Sequence, residues 1–300
     1  MERRAVVGSV LGACAALSYG ITVVIGRELA KAHLPPADAL GLRFGIAGVL
    51  LLGALVAGRR PLLPAPGERV RAGLLGGIGY AIESTCFFLG LAHGTVAAVV
   101  LLFYVYPAVV MLLEVPLLGT RPRGRSLAAL TLSVAGAAVI AIGGGEVHIS
   151  PLGIVLSLGS AAAFALYLLA SERLVTRTDA LTTAAWVAVG ASVSLLAGAL
   201  VRGAVRMPSG YWWDMAGYAL ATAVAFTCMF AALRRLGSSR TAVIMTLEAV
   251  FGIVLAAVFL GESIGPLQVV GGLAVLGGAA MIALSPAAPT RPKASTQPRW

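Results

Sequence analysis

Residues 89 to 141, LGLAHGTVAAVVLLFYVYPAVVMLLEVPLLGTRPRGRSLAALTLSVAGAAVIA, decide the fold, because the chain repeats them. They align without gaps on residues 231 to 283, so that Leu91 falls on Leu233, Gly119 on Gly261 and Gly136 on Gly278. The connector before the long apolar run is neutral in the first copy (Ala92, His93, Gly94) and basic in the second (Arg234, Arg235, Arg240). The connector after it reverses: the first copy holds Arg121, Arg123 and Arg125, whereas Glu262 to Gln268 holds one acid and no base. Lys and Arg collect on the cytoplasmic side of a membrane, so a repeat whose basic end has moved lies upside down relative to its twin. Inverted repeats of this kind are the architecture of secondary transporters.

Composition agrees. At 59% hydrophobic and 11% charged residues, the chain is far from soluble composition, where about a quarter of residues are charged. Windows of about 20 apolar residues, enough to cross a hydrocarbon core, begin near residues 5, 37, 71, 94, 126, 151, 180, 214, 240 and 265. They are numbered here as spans one to ten. Continuous apolar runs predict helices, since barrel strands would alternate. A second match, GSVLGACAALSYGITVVIGRELAK at Gly8 with GIVLSLGSAAAFALYLLASERLVT at Gly153, makes span one equivalent to span six. The expected fold is therefore an all-α membrane protein of ten transmembrane helices in two inverted five-helix repeats, residues 1–143 and 150–284. Residues 285–300, with four prolines and three bases, read as a disordered basic tail.

Most of the 22 bases lie at the N-terminus, in the even-numbered connectors or in the tail, which predicts cytoplasmic termini. This distribution points to anionic lipid headgroups as partners of the charge, not to nucleic acid. Met1 to Arg4 and the following run could be a signal peptide, but the run is long and recurs downstream, so it reads as a retained span. Cys14, Cys86 and Cys228 fall within spans and have no histidine at ligand spacing, so they predict packing residues and neither disulfide nor metal. No Walker motif supports ATP hydrolysis, and no cofactor is expected. A lipid-modifying membrane enzyme would call for His, Asp or Ser clustered near one interface, and the sequence has no such cluster.

The chain resembles ten-span members of the drug/metabolite transporter superfamily built from two EamA domains. The resemblance rests on Arg43 in ALGLRFGIAG, on TVAAVVLLFYVYPAVVMLLE, and on LEAVFGIVLAAVFLGESIGPLQVVGGLAVLGG from Leu247 to Gly278. It implies a bacterial cytoplasmic-membrane carrier of small metabolites, often an amino acid exporter, with a central cavity formed chiefly by spans one, three, four, six, eight and nine. Thr120 stands where relatives often have Glu, and Glu248-Ala249 where a Glu-Pro pair is usual. Tyr19 and Phe164 stand where aromatic amino acid exporters would carry tryptophan.

Candidate residues follow from depth and helical spacing. Glu83 lies deep in span three, where an acid costs roughly 2.5 to 3.5 kcal/mol and normally faces a partner or a wet cavity. Tyr80 and Phe87 share its face. It is either a proton-coupling or ammonium-binding carboxylate, or an acid kept neutral for packing. Glu248, in mid-span nine, is either a substrate contact or a structural hydrogen-bonding group. Pro107 breaks the backbone ladder inside span four, at the kind of kink where transporters place substrate contacts. Phe103 and Tyr106 lie on one face there and Tyr104 on another. Tyr19 and Thr22 of span one, Phe164 and Tyr167 of span six, and Phe226 of span eight complete the expected substrate contacts. Arg43 is expected to cap the outer end of span two, bonding Glu28 or backbone. Glu114 is expected to meet Arg121 to Arg125, and Glu262 with Ser263 to cap span ten. The sequence thus predicts a small-molecule exporter, most consistent with amino acids, functional as a monomer. Drugs, nucleosides or lipid-linked substrates are the alternatives.

Overall fold

The computed structural model describes residues 2–30, 34–119, 124–201, 203, 205–206 and 209–284; the expected tail lies outside them. Ten helices are long and apolar enough to cross a bilayer. Spans one to five are Arg3–Gly26, Pro36–Ala57, Arg69–Leu91, Val96–Leu117 and Gly124–Gly143. Spans six to ten are Pro151–Leu174, Ala180–Val201, Trp212–Leu236, Ser238–Leu260 and Pro266–Ala283. Hydrocarbon offers no partner to a peptide group, so the apolar runs close their hydrogen bonds within themselves as helices.

Proline opens three spans in their first turn, at Pro36, Pro151 and Pro266, where the missing N–H costs nothing. Span ten therefore starts at Pro266. The Gly265 N–H donates to Gln268 Oε1 at 2.9 Å, and Glu262 with Ser263 lies in the connector instead of capping the helix. Spans four and nine both stop at a left-handed glycine, Gly119 (φ 65°) and Gly261 (φ 69°), the two residues that the repeat alignment superposes.

Helix packing carries the repeat into three dimensions. Span one packs on span eight and its counterpart span six on span three; span two packs on seven, and five on ten. Each of these contacts has a mate under exchange of the two repeats, as a two-fold interface requires. The pairing of spans five and ten shows this residue by residue. A Cβ at Gly136 would lie 2.6 Å from the Gly271 carbonyl oxygen and 2.8 Å from the Val275 nitrogen. One at Gly278, which aligns with Gly136, would meet Ala129 and Ser133, which align with Gly271 and Val275. Small residues allow this approach where apolar burial supplies little drive.

Three spans are irregular. Span three contains a π-helical turn, Leu75–Tyr80, between α-helical segments Arg69–Leu74 and Ala81–Leu91. Span four is two half-helices, Val96–Phe103 and Tyr106–Leu118, broken at Tyr104 and Val105 just before Pro107. Span nine breaks at the aligned place, between Ser238–Met245 and Leu247–Leu260, with no proline to cause it.

On the face that carries connectors two and six, Glu68 ties the halves together. Its carboxylate accepts from the backbone N–H groups of Thr176 (3.1 Å), Arg177 (3.0 Å) and Thr178 (2.9 Å) and from the Thr178 hydroxyl (2.7 Å). The Arg177 guanidinium donates to the Pro66 carbonyl, and that of Arg234 to the Thr178 carbonyl. Burial pushes the Glu68 carboxyl up, but the hydrogen bonds from Thr178, Arg177 and Thr176 outweigh it and hold the group at about 2. A carboxyl depressed in the folded state contributes stability that is present above its unfolded value and lost as pH falls through the folded one. Glu68→Gln is accordingly expected to lower Tm by several degrees at pH 7, with the gap to wild type closing between about pH 4.5 and about pH 2. A thermal unfolding series across that range in detergent checks it; a gap that does not depend on pH would refute the assignment.

Candidate functional site

The irregular segments of spans three, four and nine meet a layer of rings contributed by spans one, two, six and eight. Eight expected contacts are aromatic, and the structure joins all of them in one chain of rings. Phe226 lies 6.4 Å from Tyr19 and 5.2 Å from Tyr80, centroid to centroid. Tyr80 meets Tyr167 at 5.6 Å, Tyr167 meets Phe164 at 5.9 Å, and Phe164 meets Phe103 at 5.6 Å and Tyr106 at 4.8 Å. Phe103 then meets Phe87 at 5.4 Å. Edge-on and offset geometries dominate, as ring quadrupoles favour. Phe44 of span two, which the sequence reading omitted, stacks on Phe226 at 5.6 Å and meets Tyr80 edge-on at 5.1 Å.

The two carboxylates enter this layer from different repeats. Glu83 is buried (6% exposed) and accepts from the Ser84 hydroxyl at 2.9 Å and from Ser160 Oγ of span six at 3.4 Å. Ser160 was not anticipated: a serine in an apolar span carries no signal until its partner across the bundle is known. Glu248 stands in the first turn of the second half-helix of span nine, where free N–H groups and the helix dipole favour a negative charge. It lies within electrostatic reach of Glu83, Arg43, Tyr19, Tyr80, Tyr104 and Tyr106. Tyr106 OH donates to the Ala242 carbonyl at 3.2 Å, bridging the two broken spans. Both Tyr104 and Tyr106 are buried. Thr22 is buried as well, but its hydroxyl donates to the Tyr19 carbonyl at 2.7 Å within its own helix, so it is the expected contact least presented to a ligand.

Two other expectations need correction, and one falls partly outside the described residues. Arg43 does not cap span two: it is two turns inside, buried, and donates to Thr222 Oγ1 and, at 3.1 Å, to Tyr218 OH of span eight. Glu114 accepts from Ser239 Oγ of span nine; of the partners expected for it, Arg121 and Arg123 lie outside the described residues. Cys14 faces outward and does not pack in the core; it, Cys86 and Cys228 are free thiols. A cleft of about 710 Å³ between connectors two and six, lined by Arg60, Arg69 and Arg177 among others, includes none of the candidate contacts.

A family model for the EamA-like transporter family matches residues 6–142 and again residues 151–284. The chain belongs to the EamA-like transporter family. The double match gives this EamA protein two five-helix repeats in one chain, and its ten apolar helices make it a multi-pass membrane protein. No curated protein matches its sequence. A solved crystal structure superposes with a TM-score of 0.80 at 20% identity, covering 91% of this chain and 95% of the other. That likeness concerns the fold.

Proposed function

We propose that this EamA protein is a secondary active transporter exporting small amphipathic metabolites, amino acids foremost, by alternating access between its two repeats, with a proton exchanged at Glu83. One observation carries the reading: a carboxylate from each repeat, Glu83 buried and Glu248 half-buried, at the ring-walled junction of broken spans. A carboxylate at membrane depth is costly unless it serves a pathway. Rings offer both apolar surface and an attractive face to an ammonium group. Each half-helix break frees backbone groups where a substrate could use them. The same reading makes the protein a carrier and not an enzyme, functional as a monomer because both repeats lie in one chain. It sits in a bacterial cytoplasmic membrane with both termini inside and its basic face toward anionic headgroups.

Counterflow tests this. Proteoliposomes of the purified protein, loaded with one unlabelled amino acid at a time and given a trace of the labelled form, should accumulate label for a defined subset. No accumulation with any amino acid, in vesicles holding folded protein, would redirect the assignment to drugs, nucleosides or lipid-linked substrates.

A further inference from the structure

Among the described residues, Arg43 is the one guanidinium built into the ring layer, and its surroundings fix it there. Its Nε donates to Thr222 Oγ1, whose own proton goes to the Tyr218 carbonyl at 2.7 Å, so the lone pair is held toward Arg43. Its Nη1 donates to Tyr218 OH, and its Cζ lies 4.2 Å from the Tyr218 ring centroid and 5.1 Å from that of Phe44. Phe44 is itself in contact with Tyr80 and Phe226. The third nitrogen, Nη2, is buried and has no protein acceptor. Glu83 and Glu248 feel the charge, yet neither forms an ion pair with it.

A packing arginine would be expected to close on a carboxylate, because an incompletely paired buried cation is costly. Here two carboxylates feel its charge without pairing with it: Glu83 is engaged by Ser84 and Ser160 instead, and Glu248 stands on the second half-helix of span nine. The layer is therefore bipolar, with a pinned cation on the span two and span eight side and two acids on the span three and span nine side. Guanidinium groups match carboxylates in plane and spacing and are weakly hydrated, so they suit this role in a dry site better than an ammonium does.

We infer that Arg43 receives the carboxylate of the transported molecule, whose ammonium group faces Glu83 and Glu248. This builds on the amino acid reading above and narrows it: the substrate is a zwitterion, and Arg43 selects against molecules that lack the anionic end.

The experiment measures ligand-induced thermal stabilisation of the purified full-length protein. The probes are amino acids, their amides, which keep the ammonium and lose the carboxylate, and the corresponding des-amino carboxylic acids. Amides are expected to bind wild type at least tenfold more weakly than the parent acids. Arg43→Gln should weaken amino acids at least tenfold and leave amides unchanged, while Arg43→Lys should retain part of the preference. Equal binding of acid and amide by wild type overturns the inference without recourse to any variant, and so does an Arg43→Gln protein that still discriminates. Binding by des-amino acids alone, dependent on Arg43, would support the anion site while removing the amino acid reading. If no carboxylate-bearing compound stabilises wild type, the inference is wrong.

Discussion

Gly76→Ala is expected to leave almost no folded protein. Gly76 is the second residue of the π-helical turn of span three, where the backbone of span seven lies directly against it. A Cβ there would overlap the Val187 carbonyl oxygen and stand 2.9 Å from the Ala191 nitrogen. Neither can give way, because both belong to the hydrogen-bonded ladder of span seven. The contact is reciprocal: a Cβ at Gly190 would overlap the Gly73 carbonyl oxygen. Ordinary overpacking costs about 1–3 kcal/mol, and collision with backbone on a crossing this close exceeds what side-chain rotation can relieve. Gly73→Ala, one turn earlier, supplies the control, since a Cβ at Gly73 meets nothing within 4 Å. It should be neutral or stabilise by up to about 1 kcal/mol through helix propensity. Size-exclusion profiles after a heating series would separate the two; a Gly76→Ala protein as stable as Gly73→Ala would show that the crossing is looser than described.

Glu83→Gln is expected to abolish transport driven by a pH gradient, with a loss of at least tenfold, while keeping the fold. Ser84 and Ser160 donate to different oxygens of the carboxylate; in the amide the remaining oxygen keeps one of these bonds, the NH2 group can donate to the other hydroxyl, and the substitution removes a buried charge, so Tm should hold or rise. What it removes is the capacity to carry a proton, and coupled movement requires that capacity whatever the substrate. Accumulation of a counterflow substrate under an imposed pH gradient measures it. Gradient-driven accumulation at the wild-type rate by Glu83→Gln would transfer the coupling role elsewhere, with Glu248 the nearest candidate.

The fold was legible because its determinants are local or repeated. Apolar run length gave the ten helices, and the shift of Arg between the ends of residues 89–141 and 231–283 gave the inversion. Pro107 announced the break in span four. The matching break at Thr246 had no such marker, since Ala249 stands where a proline would sit; it follows from the demands of the second repeat at the aligned position. The π-helical turn at Leu75–Tyr80 was equally silent, for its sequence, LGGIGY, states only that small residues are wanted.

The site was legible in part. Depth in an apolar run identified Glu83 and Glu248, and helical spacing identified the rings, because both arguments need one helix at a time. Arg43 failed for an instructive reason. A charge in an apolar run is least costly near its edge, which made position 43 look like a helix end, whereas the helix opens at Pro36 and Arg43 stands two turns inside it. Its partners, Thr222 and Tyr218, are about 180 residues away. Glu68 likewise looked like one charge in a proline-rich loop until Thr176 to Thr178 were brought over it by the packing of the two halves.

Substrate is expected to pass between the carboxylates of the ring layer. The most direct test is counterflow by wild type beside the Glu83→Gln, Glu248→Gln double variant, in vesicles matched for folded protein. Wild type should accumulate labelled amino acid, and the double variant none above empty vesicles. Wild-type accumulation by the double variant would contradict this route.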